Sequence, residues 1–440
     1  MKSIALLLSI FIITHTCNAQ LVFSSLDEIW KYADQHNINI RIAKQDLTKS
    51  GYAKQQSYSS LLPQVNGNSA FTDNLSLQTT LIPAEMFGGQ PGTYRSLQFG
   101  QKYVYSGNVT AQLPLVNVQN WIAIRMAKQS EEMSRDSFAS ARKNVYQQIA
   151  VQYYSCLLMQ EAARLSDQTA SIADSVLQLT NFKFNQGTLN QADVDKASMN
   201  FIRAQQSQTI AYYQAAVAKN NLKSLLGLSV NDSIQLNTSL QYNLAIDTVA
   251  AFQRDPSVQL ASNRVKLSFS QYKQANKAYI PSLNALYSYS TQRFDNIFEP
   301  FSNAKGTKKW FPAQYWGIQL NVPIFSGGYR YYQVKKTRIS YQQSKDLYEQ
   351  LQKQSDINDE NLKLNYRKAI DVLDKSKQVM DLALDNYTHI SYRYDAGLAS
   401  LNERLAAFKD YIDYQNQYLN SLSDMLIQLY QLKIRQQSFY

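Results

Sequence analysis

Glycine and proline are scarce in this sequence, fourteen and nine among 440 residues, and two long stretches have neither. None falls between Val116 and Gln186, or between Tyr329 and Ala396; the runs Thr188 to Leu226 and Leu398 to Tyr440 are equally unbroken. With helix breakers missing, all four read as long helices. There are only two cysteines, Cys17 and Cys156. Removal of a leader leaves Cys156 alone, which excludes an internal disulfide and makes it a small helix-packing residue. The three histidines form no metal-spaced cluster, and there is no Walker loop and no G-x-S-x-G, so neither an enzyme nor a cofactor is expected. After the N-terminus no run of 18 apolar residues occurs, which excludes a membrane-spanning helix. The formal charge is +11, but the lysines and arginines are spread along the chain. A nucleic-acid surface is therefore not expected.

Residues 1–19 read as a signal peptide: Lys2 supplies the charged start, Ile4 to Ile13 the apolar stretch, and Cys17-Asn-Ala19 the cleavage site. The mature chain then starts at Gln20 and carries +10. Acylation of Cys17 is the other reading, though Thr14-His-Thr16 fits a lipobox poorly. Export follows either way.

Two glycines interrupt the long runs in matching contexts, Phe184-Asn-Gln-Gly187-Thr-Leu-Asn190 and Tyr394-Asp-Ala-Gly397-Leu-Ala-Ser400. A lone glycine after such a run is a helix C-cap with positive φ, so each marks the tip of a long helical hairpin. The hairpin occurs twice because the whole chain is a duplication. Pro114 and Pro323 lie 209 positions apart, and Gly187 and Gly397 lie 210 apart. The repeats run 20–230 and 231–440. Each begins with a helix ended by a proline: Leu26 to Leu62 before Pro63, and about Thr248 to Ile280 before Pro281.

After those prolines the apolar period changes from 3.6 to 2. Val65, Gly67, Ser69 and Phe71 alternate with polar residues, and residues 78 to 96, with Pro83, Gly88-Gly89 and Pro91-Gly92, read as loop. Phe99, Tyr103, Tyr105, Val109, Ala111, Leu113 and Leu115 share one face of a second strand. In the other repeat Leu283, Ala285, Tyr287 and Tyr289 share a face, as do Trp316, Ile318, Leu320, Val322 and Ile324. About ten alternating residues suit a tilted transmembrane strand, and Tyr103, Tyr105, Phe294, Trp310, Phe311, Tyr315 and Trp316 suit an aromatic girdle. Four strands cannot close a barrel, and an open edge is not viable in lipid. Several chains must then share one barrel, with eight strands from two chains or twelve from three.

The return helices carry coiled-coil seams. One runs Leu401, Leu405, Phe408, Ile412, Leu419, Leu422, Leu426 and Leu429. The other is richer in alanine, with Ala197, Ala204, Ala211, Ala215 and Ala218. Both seams are structural.

The duplicated order of helix, proline-flanked strand pair, long helix, aromatic-x-x-Gly tip and return helix resembles the TolC-like outer-membrane efflux proteins over nearly the whole mature chain. The resemblance implies a mainly α fold with a membrane β-barrel. A homotrimer would share a 12-stranded barrel in outer-membrane lipid, with a periplasmic α-helical tunnel. It implies a passive channel of a tripartite efflux or type I secretion system, with a periplasmic adaptor and an inner-membrane pump of RND or ABC type as partners. A soluble periplasmic coiled-coil adaptor or scaffold is the alternative. Asp193 and Tyr394 correspond to residues that tie neighbouring coils at the closed aperture. Glu403 keeps one of two aperture acids; the other position is Ala406. Ala399 replaces a basic residue, for which Arg404 or Arg393 could substitute. The turns Gly187-Thr188-Leu189 and Gly397-Leu398-Ala399 are the expected adaptor-docking tips. For Asp193 and Glu403 the plainer readings are a first-turn acid favoured by the helix dipole and a solvated surface charge.

Overall fold

The computed structural model describes residues 21–238, 240, 251–300 and 309–440. The leader, Cys17 and the helix start expected near Thr248 lie outside the described residues. The chain forms two compact units. One comprises Met1–Leu47, Ser134–Ser262 and Leu347–Tyr440; the other comprises Thr48–Met133 and Asn263–Asp346.

The second unit holds the sheet. Strands β2 (Gln64–Asp73), β5 (Tyr103–Val116), β7 (Ser282–Asp295) and β8 (Phe311–Asn321) are antiparallel neighbours in the order β2-β5-β7-β8. The inner pair is β5–β7, and β2 and β8 are the edges. Register aligns the apolar positions: Val65 faces Ala111, Ala111 faces Tyr287, and Tyr287 faces Trp316. The other face is polar, with Asn68 opposite Asn108, Asn108 opposite Ser290 and Asn284 opposite Gln319. A one-residue slip would exchange the faces, so this patterning fixes the register. In a single chain the apolar face is bare, with Trp316 78% and Ile318 and Leu320 each 62% exposed.

Three sequence expectations change here. Residues 78 to 96 are not simply loop: β3 (Gln78–Pro83) and β4 (Tyr94–Phe99) form a separate antiparallel hairpin around a short 3-10 turn, Ala84–Phe87, so Phe99 pairs with Gln78 and does not share a strand with Tyr103. Thr79, Thr80 and Ile82 favour a strand, and the glycines and prolines gather in its turn. Strand β8 stops at Asn321, before Pro323, so Val322 and Ile324 fall outside it. The expected girdle divides between faces. Tyr103, Tyr105 and Trp316 lie on the apolar side, whereas Phe294, Phe311 and Tyr315 lie on the polar side.

Helical segments continue the lateral order of the strands. Helix α2 (Ile38–Ser59) meets α3 (Val118–Asn185) through Lys54 and Glu131 at 2.7 Å, and Asn120 Nδ2 donates to Ser60 O. Helix α3 meets α5 (Pro256–Asn276) where Gln119 Nε2 donates to Gln274 O. Helix α5 meets α6 (Tyr329–Asp395) through Phe269 and Tyr341, ring centroids 5.2 Å apart.

The first unit is helical. Helix α3 has 68 residues and α6 has 67; α4 (Gln191–Leu226) and α7 (Leu401–Gln436) each have 36. At 1.5 Å per residue the longer pair extend about 100 Å. Ala197, Ala204, Ala211 and Ala218 are buried at seven-residue intervals on α4, and Leu419, Leu422, Leu426 and Leu429 are buried on α7, so both seams pack. The helix expected from Leu26 to Leu62 is broken. It comprises α1 (Leu26–His36) and α2, with Asn37 extended at φ −66° and ψ 127° between them. Asn37 Oδ1 accepts from the Asn39 and Ile40 amides, capping α2, and its Nδ2 donates to Leu225 O at 2.7 Å.

Tyrosines fill part of the core of this unit. Trp30 stacks on Tyr146 at 4.8 Å, and Tyr153, Tyr154 and Tyr430 form a chain of edge and tilted contacts beside it. Tyr146 donates to Asp34, which also holds Arg142 at 2.5 Å. Burial, then the Asp34 carboxylate, pushes the Tyr146 phenol up to about 12, so it stays a neutral donor. Short strands β1 (Leu21–Phe23) and β6 (Ile234–Leu236) pair in parallel and close the core.

Two ion pairs, Lys143 with Asp255 and Arg435 with Asp359, flank one cleft of this unit. Burial alone would raise the Asp255 carboxyl, but hydrogen bonds from Lys143 and Ser257 outweigh it and leave it lowered. A lowered acid contributes stability above its unfolded value, about 3.9, and loses it as pH falls through the folded value. The midpoint of thermal unfolding should therefore be insensitive to Asp255→Asn in its pH slope near neutrality. Below about pH 4 the parent should lose stability more steeply than the variant. Parallel slopes in differential scanning calorimetry would contradict this assignment.

Candidate functional site

The helical tips bring most of the expected site residues together. Helix α3 ends in a Schellman turn: Gly187 has φ 76°, and the Thr188 amide donates to Lys183 O at 3.0 Å. Helix α6 ends the same way, with Gly397 at φ 77° and the Leu398 amide donating to Arg393 O at 2.7 Å. The turns Gly187-Thr188-Leu189 and Gly397-Leu398-Ala399 follow, and Leu398 is 70% exposed.

Each return helix then opens on a capping box. Asn190 Oδ1 accepts from the Asp193 amide, and Asp193 Oδ2 accepts from the Asn190 amide. Ser400 Oγ accepts from the Glu403 amide, and Glu403 Oε2 accepts from the Ser400 amide at 2.7 Å. The Glu403 carboxyl is lowered chiefly by that backbone hydrogen bond. Both acids therefore order the helix start, Glu403 while exposed and Asp193 while half-buried.

Tyr394 is 3% exposed. It packs with Val176 of α3 and Leu401 of α7, with Leu179 and Leu405 beside them. Lys183 Nζ lies 4.0 Å from its ring centroid, and the Arg404 guanidinium carbon lies 5.1 Å away. Arg404 also pairs with Asp395 at 3.4 Å, and Lys196 Nζ reaches Asn402 Oδ1 at 3.4 Å. One phenol ring, gripped by two cations, thus ties the end of the first hairpin to the tip of the second. Burial raises the Tyr394 phenol, so it stays neutral. Tyr394 and Asp193 are not hydrogen-bonded to each other within the chain. Arg393 turns instead to Leu398 O at 3.3 Å.

Sequence reasoning missed Lys183 and Asp395. The former carries a weak signal, a basic residue in the last turn of a helix. It also missed Arg293, which lies at the far end of β7. Arg293 is 2% exposed, pairs with Asp295 at 3.0 Å and stacks over Tyr105 at 4.3 Å.

Cations, a phenol and a carboxylate sit together at the tips; no nucleophile sits beside a base there. Among the described residues no group of His, Cys, Asp or Glu could hold a metal ion, and no helix is long and apolar enough to cross a membrane.

The outer membrane efflux protein family model matches residues 31–228 and 249–433. Solved structures share the fold. The Campylobacter jejuni CmeC outer membrane channel superposes with a TM-score of 0.74 at 15% identity, covering 93% of this chain and 85% of that one. The Vibrio cholerae outer membrane protein VceC gives 0.74 at 16% identity, covering 92% and 95%. The open state of the Neisseria gonorrhoeae MtrE outer membrane channel gives 0.72 at 16% identity, covering 93% and 88%. An uncharacterised Haemophilus influenzae protein is 21% identical over 289 residues, covering 64% of this chain and 61% of its own length. Long helical hairpins joined to an amphipathic strand quartet are the architecture of an outer-membrane efflux channel, and this chain belongs to the outer membrane efflux protein family.

Proposed function

We propose that three copies of this chain share one 12-stranded barrel and form a passive exit duct across the outer membrane. A periplasmic adaptor and an inner-membrane pump would deliver cargo and supply the energy. One observation carries the reading: a four-stranded sheet bares its apolar face and, among the described residues, leaves two edges, β2 and β8, unpaired. In lipid each edge needs a partner. The strands alternate in direction, so β8 of one copy can meet β2 of the next antiparallel. Twelve strands leave an aqueous lumen where eight would be filled by side chains. A soluble scaffold would leave Trp316, Ile318 and Leu320 in water. Detergent-free solubility of the mature protein would favour that alternative.

The tips serve as gate and docking surface in this reading. The Lys183–Tyr394–Arg404 latch fixes the two hairpin tips of a chain to each other, and the exposed turns at Leu189 and Leu398 meet the adaptor. Planar-bilayer recordings test the gate. Tyr394→Ala and Asp193→Ala should raise the resting conductance with trimer yield unchanged. Glu403→Gln should reduce cation preference, because a ring of three carboxylates sets the field at the aperture. Conductance like the parent in both Tyr394→Ala and Asp193→Ala would remove these residues from the gate.

A further inference from the structure

The segments that join the strands to the helices, residues 48–63, 117–133, 263–281 and 322–346, hold thirteen lysines and arginines against three acidic residues. That net of +10 is nearly all of the chain's +11. In the sequence these positions are spread over four places, but the contacts among α2, α3, α5 and α6 set them side by side in one unit. Ten of the thirteen are exposed, and one of the three acids, Glu131, is already held by Lys54.

The charge begins at a sharp edge. Residues 55–72, 103–124, 278–292 and 310–329 contain no charged side chain. On the helical side these windows are bounded by Lys54, Arg125, Lys277 and Arg330, all basic. At the same edge large apolar and aromatic side chains stand free: Ile324 is 92% exposed, Phe325 87%, Tyr329 70% and Tyr332 69%.

We propose that this basic, aromatic-studded collar seats on the headgroups of anionic phospholipids in the leaflet facing the helical part of the protein. Aromatic rings settle at the headgroup level, and lysine and arginine stems run along apolar surface to place their charge beside phosphates. Continuity with the apolar strand face and the one-sided charge select a lipid surface over a neutral partner. The proposal rests on the outer-membrane reading above and adds to it a lipid preference.

The test uses full-length protein in vesicles of phosphatidylcholine, alone or mixed with phosphatidylglycerol, with retained lipids counted by native mass spectrometry. The variant combines Lys273→Gln, Lys277→Gln, Lys335→Gln, Lys336→Gln and Arg338→Gln, all exposed positions. The parent should enrich phosphatidylglycerol by about fivefold for each basic side chain that reaches the surface, less at high salt. The variant should insert equally but lose most of the enrichment. Insertion of the parent without any preference would overturn the lipid proposal and leave the duct standing. Failure to insert into either vesicle would overturn both. An unchanged preference with a shifted anion selectivity of the pore would place the collar in the lumen instead. An unchanged preference with lost sedimentation on anionic cell-wall polymer would assign it to the wall.

Discussion

Ile318→Arg should prevent stable assembly in the membrane, whereas Gln319→Arg, one residue further on, should leave assembly near that of the parent. Ile318 is 62% exposed on the apolar face, opposite Ala285; Gln319 lies on the polar face, opposite Asn284. An arginine facing lipid near the midplane costs about 2–4 kcal/mol, falling toward zero at the interfaces. A shared barrel places one such arginine in every copy, so a trimer loses about three times that amount. The same side chain on the lumen side stays hydrated and mainly alters selectivity. The yield of detergent-extracted oligomer reports the difference. Equal losses at the two positions would mean that the sheet faces are assigned the wrong way round.

Trp30→Ala should produce the largest loss in the helical unit, about 3–5 kcal/mol, the range for deleting a buried tryptophan. Trp30 is 2% exposed, stacks parallel on Tyr146 and meets Tyr430 edge-on at 6.1 Å. Its Nε1 donates to Tyr146 O at 3.1 Å. Trp30→Phe keeps most of the stacking and loses that hydrogen bond, so it should cost much less, with about 1 kcal/mol from the bond. Denaturant unfolding followed by circular dichroism separates the two. A loss below about 1 kcal/mol for Trp30→Ala would show that the core collapses around the gap.

Much of the architecture was legible because it is written in period and punctuation. Gly187 and Gly397 end glycine-free runs, and they are the positive-φ caps of two Schellman turns. The apolar alternation at Val109, Ala111 and Leu113 placed the face of β5 correctly. The break at Asn37 was not legible, because Leu26, Ile29, Trp30 and Ala33 keep helical spacing up to it. What fixes the break is a hydrogen bond to Leu225, 188 residues away. The hairpin β3–β4 was hidden by the glycines and prolines of its own turn.

The site was legible only in part. Asn190-x-x-Asp193 and Ser400-x-x-Glu403 are capping-box patterns visible in the sequence, and they explain where those acids sit. That Lys183 covers the ring of Tyr394 could not be read, since those residues meet only when the two hairpins pack. The basic collar escaped for the same reason: its members are far apart along the chain and become neighbours through the helices that carry them.

The central claim, that the strands of separate chains close one barrel, is tested most directly by disulfide cross-linking of β2 to β8. Within a chain these edges lie three strand spacings apart, about 14 Å, whereas a disulfide needs Cα atoms within about 7 Å. Cysteine at Val65, paired in turn with cysteine at Trp316, Ile318 or Leu320, scans the registers that keep apolar faces together, and Cys156 is buried out of reach. The account predicts that one pairing converts membrane-extracted protein into covalent species of up to three chains on a non-reducing gel. No inter-chain product at any register, with the protein monomeric in detergent, would contradict it.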